Sequence, residues 1–110
     1  MANNISLIVY PVKDIEKSKK CFNQFLGTEP YMENERYVGY KVGDREVGLD
    51  PNSTEVVSYI DVEDIEVSLQ LMRNVGAKVV KDMWNIGGGL YIAQVKVEDT
   101  ILGLRQLPQK

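Results

Sequence analysis

The lack of histidine is the first limit on the chemistry that this sequence could perform. The 110 residues contain no histidine and one cysteine, Cys21. A serine or cysteine nucleophile commonly depends on a neighbouring imidazole as its base, so the Ser-His-Asp and Cys-His arrangements are excluded. A single cysteine also excludes an internal disulfide, and we interpret Cys21 as a partly buried structural thiol. We take carboxylates as the candidates for any acid-base chemistry.

Composition and charge narrow the class of protein further. The apolar share of 44% and the charged share of 26% are typical of a soluble globular chain, and 110 residues match one domain. Lysine and arginine number 13 against 16 acidic residues, and they are scattered, so nucleic acid is not an expected partner. No apolar run approaches the ~18 residues of a membrane span, and no leader is visible. These features predict a cytoplasmic protein without a membrane partner.

The chain repeats itself at long range. The segment VKDIEKS at residues 12–18 returns as VEDIEVS at residues 62–68, with five of seven residues identical. A second pair, YKVGDREVGL at residues 40–49 and VKVEDTILGL at residues 95–104, follows near the end of each half. Two copies of one supersecondary unit are therefore expected, because a repeat at this period indicates a duplicated fold.

Each copy reads as a strand, a helix and three further strands. Asp14 and Asp64 suit the N-caps of the two helices, and Gly27 and Gly76 suit their C-terminal ends. Apolar spacing predicts that one stripe of each helix is core, with Ile15, Ser18, Phe22, Phe25 and Leu26 in the first helix and Ile65, Ser68, Leu69, Met72 and Val75 in the second. We predict one domain over residues 1–110, with modules at about 1–50 and 55–107 and a link at 51–54.

Two tandem βαβββ units, each opening with a V-x-D-I-E-x-S motif, resemble the glyoxalase, bleomycin-resistance and extradiol-dioxygenase superfamily, also called vicinal oxygen chelate proteins. The resemblance implies an α+β fold in which a curved eight-stranded mixed sheet surrounds a cavity, with the helices on its convex face. It also implies a homodimer. Enzymes of the superfamily hold a divalent metal at four symmetric strand positions, which correspond here to Leu7, Gly48, Val57 and Gly103.

None of these four residues can bind a metal through its side chain, because divalent ions take carboxylate, imidazole or thiolate ligands. We therefore expect no metal and no other cofactor. Residues two apart on a strand share a face, so the resemblance also predicts which neighbours line the cavity. The predicted ligand-binding residues are Leu7, Tyr37, Glu46, Val57, Tyr59, Trp84, Gly103 and Arg105. The candidate acid-base residues are Glu46, Asp50 and Asp61.

Several of these residues have a plainer interpretation. Arg105 could hold a ligand carboxylate and Glu46 could act as a base, or the two could pair with each other or reach solvent at the strand ends. Trp84, next to the glycines at 87–89, could form an aromatic wall at a flexible pocket edge, or be a core indole beside a hairpin turn. A further aromatic bias of the middle strands suits either stacking on a planar ligand or ordinary packing; its members are Tyr31, Tyr37, Tyr40 and Tyr91.

Three functions remain open from the sequence. The first is a metal-free protein that binds a small organic molecule in the sheet cavity, as the resemblance to bleomycin-resistance proteins implies. The second is an enzyme of the same superfamily that uses the candidate carboxylates, or a metal at an unpredicted place, in that cavity. The third is a scaffold whose interior is filled by its own side chains.

Overall fold

The computed structural model describes residues 3–108, which divide into two compact units. We call residues 6–57 the N-terminal unit, and residues 58–108 with residues 3–5 the C-terminal unit. The ends of the predicted domain, at residues 1–2 and 109–110, lie outside the described residues. In chain order the elements are β1 Ile5–Pro11, α1 Ile15–Leu26, β2 Met32–Glu33, β3 Val38–Val42, β4 Arg45–Asp50, β5 Val57–Asp61, α2 Ile65–Asn74, β6 Lys78–Asn85, β7 Tyr91–Val97 and β8 Thr100–Gln106.

The two units share one strand arrangement. In the N-terminal unit the strands lie in the order β2-β3-β4-β1, and in the C-terminal unit the order is β5-β8-β7-β6. In each unit the strand that comes first in the chain pairs in parallel with the strand that comes last, β1 with β4 and β5 with β8. The other pairs within each unit are antiparallel. All eight strands belong to one mixed sheet. The α+β fold of two βαβββ modules is therefore confirmed, whereas the sheet's curvature and cavity stay predictions.

Both helices begin where the sequence predicts. The Asp14 carboxylate accepts a hydrogen bond of 3.0 Å from the backbone N–H of Lys17. The Asp64 carboxylate accepts bonds of 3.0 and 3.2 Å from the N–H groups of Glu66 and Val67. A carboxylate at this position satisfies amides that lack a partner within the helix. Gly27 caps the C-terminal end of α1, and its φ of 71° is the left-handed conformation that glycine adopts without a Cβ penalty.

Each helix packs one stripe on its own half of the sheet, but the stripe is narrower than predicted. The prediction that Phe25 and Val75 lie in the core is wrong, because they are 77% and 80% exposed. Successive helix residues rotate by ~100°, which puts Phe25 roughly 80° away from Ile15, the first core residue of α1. Val75 lies just past the end of α2. The residues that do contact the cores are Ile15, Phe22 and Leu26 in α1, and Ile65, Leu69 and Met72 in α2.

Three smaller features complete the fold. The glycines at 87–89 form a tight hairpin, since Ile86 N–H donates to Leu90 carbonyl oxygen at 2.8 Å. Trp84 beside that hairpin is 58% exposed, so it is not a core indole. Cys21 is exposed, and its interpretation as a partly buried thiol is wrong. Across residues 3–108, no helix is both long and apolar enough to span a membrane.

Candidate ligand-binding site

The helix of each unit covers one face of its strands, and we call the opposite face the far face of that unit. In β4, Val47 and Leu49 pack in the core under α1, so Gly48 and its alternate neighbours lie on the far face. In β8, Leu102 and Leu104 pack under α2, which places Gly103 and Arg105 on the far face. The far faces therefore carry the predicted positions of the metal ligands.

In the N-terminal unit the metal position on the last strand is covered by a tyrosine. A Cβ atom added at Gly48 would collide with the Tyr37 hydroxyl and would lie 2.6 Å from Tyr37 Cζ. Glycine is therefore the residue that lets the phenol ring lie directly on the strand. Tyr37 itself is held by the turn before β3, where its backbone N–H donates to the Asn34 side chain at 3.0 Å.

The C-terminal unit covers the equivalent position with a different tyrosine. A Cβ atom added at Gly103 would lie 2.5 Å from Tyr59 Cε2, and its three nearest atoms all belong to that ring. Tyr59 is on the neighbouring strand β5, directly opposite Gly103, and is 6% exposed. Its hydroxyl accepts a hydrogen bond of 2.8 Å from Gln94 Nε2 on β7. The Tyr59 ring therefore covers Gly103, and the Gln94 amide holds that ring in place.

The other two metal positions are also unsuited to an ion. Leu7 is 8% exposed and Val57 is 4% exposed, and neither side chain offers a donor atom. Within the described residues there is no group of three or more histidine, cysteine, aspartate or glutamate side chains that could hold a metal ion. The residues at the four family positions therefore do not fit a divalent ion, and we derive no chemistry through one.

Glu46, the first candidate base, is hydrogen-bonded to a tyrosine of its own unit. Its carboxylate accepts a hydrogen bond of 2.7 Å from the Tyr31 hydroxyl. In the ladder Glu46 lies opposite Lys41 of β3 and Leu7 of β1. The Lys41 ammonium is 4.8 Å from the Tyr31 ring centroid, a cation–π distance. Glu46, Tyr31 and Lys41 form one polar group on this far face.

Arg105 and Asp61 form the second polar group, in the C-terminal unit. Arg105 Nε donates to Asp61 Oδ1 at 2.6 Å, and Arg105 Nη2 donates to Asp61 Oδ2 at 3.1 Å. The two residues are opposite each other on β8 and β5. The Arg105 side chain is 8% exposed and that of Asp61 is 35% exposed. The Arg fork predicted to hold a ligand carboxylate therefore already holds one from the protein.

The remaining predicted residues divide between the two faces. Asp50 is used by a turn, where its carboxylate accepts the backbone N–H of Asn52 at 2.8 Å. Tyr40 is fully buried under α1, and its hydroxyl donates to Asn23 Oδ1 at 2.6 Å. Burial raises the pKa of the Tyr40 phenol above its usual value. Tyr91 packs on the core under α2. Tyr40 and Tyr91 therefore account for part of the aromatic bias by packing alone.

Sequence reasoning missed four far-face residues of the C-terminal unit, namely Gln94 and three lysines. Gln94 follows from the alternation on β7, since Ala93 and Val95 are core residues. The lysines are Lys78, Lys81 and Lys96. Their common face depends on irregular pairing between β6 and β7, which simple alternation does not reveal.

Several solved structures have the same fold as this chain. No protein-family model matches this chain, and no curated protein matches it. A glyoxalase/bleomycin resistance protein/dioxygenase superfamily member from Vibrio splendidus 12B01 is 22% identical, with a TM-score of 0.73 over 91% of this chain and 95% of that chain. The resemblance inferred from the repeat is therefore confirmed as a likeness of fold.

Two particular neighbours extend this result. A hypothetical protein from Bacillus halodurans C-125 is 12% identical, with a TM-score of 0.82 over 100% of this chain and 98% of that chain. Methylmalonyl-CoA epimerase from Streptomyces coelicolor, in complex with 2-nitronate-propionyl-CoA, is 16% identical, with a TM-score of 0.75 over 96% of this chain and 95% of that chain. At these identities the likeness concerns the fold, and function must be argued from the site.

Proposed function

We propose that this chain is a metal-free binding protein for a small organic molecule, with a glyoxalase/bleomycin-resistance-like fold. The observation that carries the proposal is the replacement of the two last-strand metal positions by glycines, Gly48 and Gly103, each under a tyrosine ring. With Leu7 and Val57 at the other two positions, the family's ion site becomes an apolar and aromatic surface. Apolar walls with a few polar groups are usual for small-molecule pockets.

The polar groups on the far faces support binding more than catalysis. Glu46 is bonded to Tyr31, Asp61 to Arg105 and Asp50 to its own turn. Fixed polar groups of this kind orient a ligand, since their geometry is set before the ligand arrives. The epimerase neighbour, solved with a CoA derivative, supports a small organic guest for this fold.

Ligand-observed NMR with a panel of neutral aromatic compounds tests the proposal. We expect saturable binding to the wild-type protein, and a loss of binding in Tyr59→Ala, because Tyr59 contributes a buried ring to the far face. Tyr91→Ala is the matched control, since it removes the same ring from the core under α2. Equal binding by both variants, or no binding by the wild type, would contradict the proposal.

An enzyme is the second candidate, favoured by one observation. The Glu46 carboxylate and the Tyr31 hydroxyl are 2.7 Å apart, which is a hydrogen-bonded acid-base pair beside Lys41. Under this candidate, Glu46→Gln abolishes turnover of a ligand found in the NMR screen while its binding persists. A ligand recovered unchanged after long incubation with the wild-type protein removes the enzyme candidate for that ligand.

Three further features stay proposals. We propose a homodimer, because β2 and β6 are the two outermost strands of the sheet formed by the described residues, and an outermost strand leaves one edge open to pairing. We propose a cytoplasmic location, which agrees with the single cysteine. We also retain the single domain with modules at about 1–50 and 55–107 as a proposal.

A further inference from the structure

The far face of the C-terminal unit carries a cluster of lysines that no structural role explains. Lys78 of β6 lies directly opposite Lys96 of β7, and Lys81 lies opposite Gln94, the next far-face residue of β7. Residues directly opposite in an antiparallel ladder are roughly 5 Å apart and point to the same face. Like charges in such a pair repel, so the pair weakens the sheet unless an anion lies between them.

Two irregularities in the ladder create this arrangement. The pairing shifts between Val79 and Lys81, and again between Lys81 and Trp84. Regular pairing from Lys78 would place Val80 opposite Gln94, whereas the first shift places Lys81 there. The second shift places Trp84 opposite Ile92. β-Bulges commonly redirect side chains beside functional sites, and here they bring two lysines and the tryptophan onto one face.

The charges around the cluster do not neutralise it. Among residues 3–108, no ion pair joins Lys78, Lys81 or Lys96 to a carboxylate. Asp82, within the second bulge, accepts a hydrogen bond of 2.8 Å from the backbone N–H of Met83. On the same far face the Asp61 carboxylate is held by Arg105. This local excess of positive charge contrasts with the net charge of −3 of the whole chain.

An aromatic and a polar group border the lysines. The Lys81 ammonium is 5.9 Å from the Trp84 ring centroid, and the ring is largely exposed. Gln94, which lies opposite Lys81, is paired on its other side with Gly103 of β8, and Gly103 is paired with Tyr59 of β5. The Gln94 side chain donates a hydrogen bond to the Tyr59 hydroxyl. A ligand with an anionic end on the lysines thus has a flat surface, Trp84, within reach of its other end.

We propose that Lys78, Lys81 and Lys96 bind the phosphate group of an organic phosphate, whose planar portion contacts Trp84. This inference rests on the proposed small-molecule binding and names its ligand class. Three lysines act as point charges around a phosphate, which suits a multiply charged anion better than a single carboxylate.

Trp84 supplies the assay, since it is the only tryptophan of the chain. The probes are inorganic pyrophosphate for the anion alone, adenosine diphosphate for an anion with a planar base, and adenosine as the neutral control. We expect adenosine diphosphate to change Trp84 fluorescence saturably and at least about tenfold more tightly than adenosine, with affinity falling as salt is raised. Pyrophosphate should compete with adenosine diphosphate and raise the unfolding temperature.

Charge-matched variants separate the site from general electrostatics. The double variant Lys78→Gln/Lys96→Gln should lose about tenfold or more in affinity for adenosine diphosphate and for pyrophosphate. Lys17→Gln/Lys20→Gln, on α1, removes the same charge and should leave both affinities unchanged. Retained binding of neutral aromatic compounds by the first double variant would show that it remains folded and still binds ligands.

Several results would overturn the inference. They are equal affinity for adenosine and adenosine diphosphate, equal losses in the two double variants, no effect of millimolar pyrophosphate, or binding of a DNA oligonucleotide without binding of either small phosphate. Neutral aromatic binding that survives any of these results leaves the proposed function standing without its phosphate. If the wild-type protein binds neither neutral aromatic compounds nor phosphates, both the proposed function and the phosphate inference are wrong.

Discussion

In both units a tyrosine ring covers a glycine of the last strand, but the two tyrosines come from different positions. Each unit has a glycine on its last strand, at the position that the resemblance predicts for a metal ligand, and in each a tyrosine lies on that glycine. In the N-terminal unit the phenol end of Tyr37 meets Gly48, whereas in the C-terminal unit the ring carbons of Tyr59 cover Gly103. The tyrosine ring therefore lies at the same backbone position in both units, although it comes from a different strand or loop in each.

The polar residues of the two far faces differ more strongly. The N-terminal unit places Glu46 opposite Lys41, a pair of opposite charges. The C-terminal unit places Lys78 opposite Lys96, a pair of like charges. Opposite charges stabilise a strand pair and like charges weaken it, so the first pair fits a structural role and the second fits a ligand. The following predictions test this difference, in order of decreasing effect.

The largest difference is expected between the two glycines. Gly103→Ala should lower the free energy of unfolding by about 3 kcal/mol, because the new methyl group meets the ring of a buried tyrosine bonded to Gln94. Gly48→Ala should cost about 1 kcal/mol, because it meets the distal end of the Tyr37 side chain. Urea unfolding measures both, and equal costs would show that the two tyrosines are held alike.

The second effect concerns the two carboxylates with partners. Asp61→Ala should cost about 2 kcal/mol, less than a fully buried pair, because it removes the bidentate partner of Arg105 while its own side chain is 35% exposed. Glu46→Ala is the matched variant and should cost about 1 kcal/mol or less, since the carboxylate that it removes accepts its hydrogen bond from the neutral Tyr31 hydroxyl. A larger loss in Glu46→Ala, again by urea unfolding, would reverse this ranking.

The third effect is a pH dependence that arises in the N-terminal unit. The repeat aligns Tyr40 with Val95, and both are fully buried, but only Tyr40 has an ionisable group. Burial raises the pKa of Tyr40 in the folded state, so its contribution is complete below the unfolded pKa of about 10 and is lost as pH rises through the folded value.

Tyr40→Phe is the variant that tests this account. It should cost about 1 kcal/mol at neutral pH, because the hydroxyl loses its bond to Asn23. It should also flatten the fall in stability above about pH 10. Unfolding by urea at several alkaline pH values measures the slope, with Tyr91→Phe as the control, and an unchanged slope would contradict the assignment to Tyr40.

The smallest effect has the opposite sign. Lys96→Gln should raise the free energy of unfolding by about 0.5 kcal/mol without ligand, because it relieves the repulsion from Lys78. Lys41→Gln should lower it by a similar amount, since Lys41 faces Glu46. Thermal unfolding at low salt detects both changes, and a destabilised Lys96→Gln would indicate that Lys96 has a structural partner.

The sequence predicted the fold well because its strongest signals are local and duplicated. The N-caps Asp14 and Asp64 and the left-handed Gly27 lie where the motif places them. The helix stripes were drawn too wide, since apolar type alone does not separate Leu26, which packs, from Phe25, which is exposed. A distinction of less than one helical turn depends on how the helix lies on the sheet.

The polar part of the candidate site was predicted less well. Alternation placed Glu46 and Arg105 on the correct strand faces, but not their partners, Tyr31 and Asp61. Asp61 was nevertheless among the residues chosen, without its role. Partners arise from strands that pair across the sheet, and the register of β6 changes at two bulges. Such shifts are set by the packing of the whole sheet, so the row of lysines emerges only from the structure.

Native mass spectrometry of the protein after incubation with excess divalent manganese, cobalt, nickel and zinc tests the central claim most directly. The two glycine positions are filled by tyrosine rings and the other two by leucine and valine. The account predicts a chain whose mass, after removal of loosely held ions, includes no divalent metal. One metal ion retained per chain would contradict it.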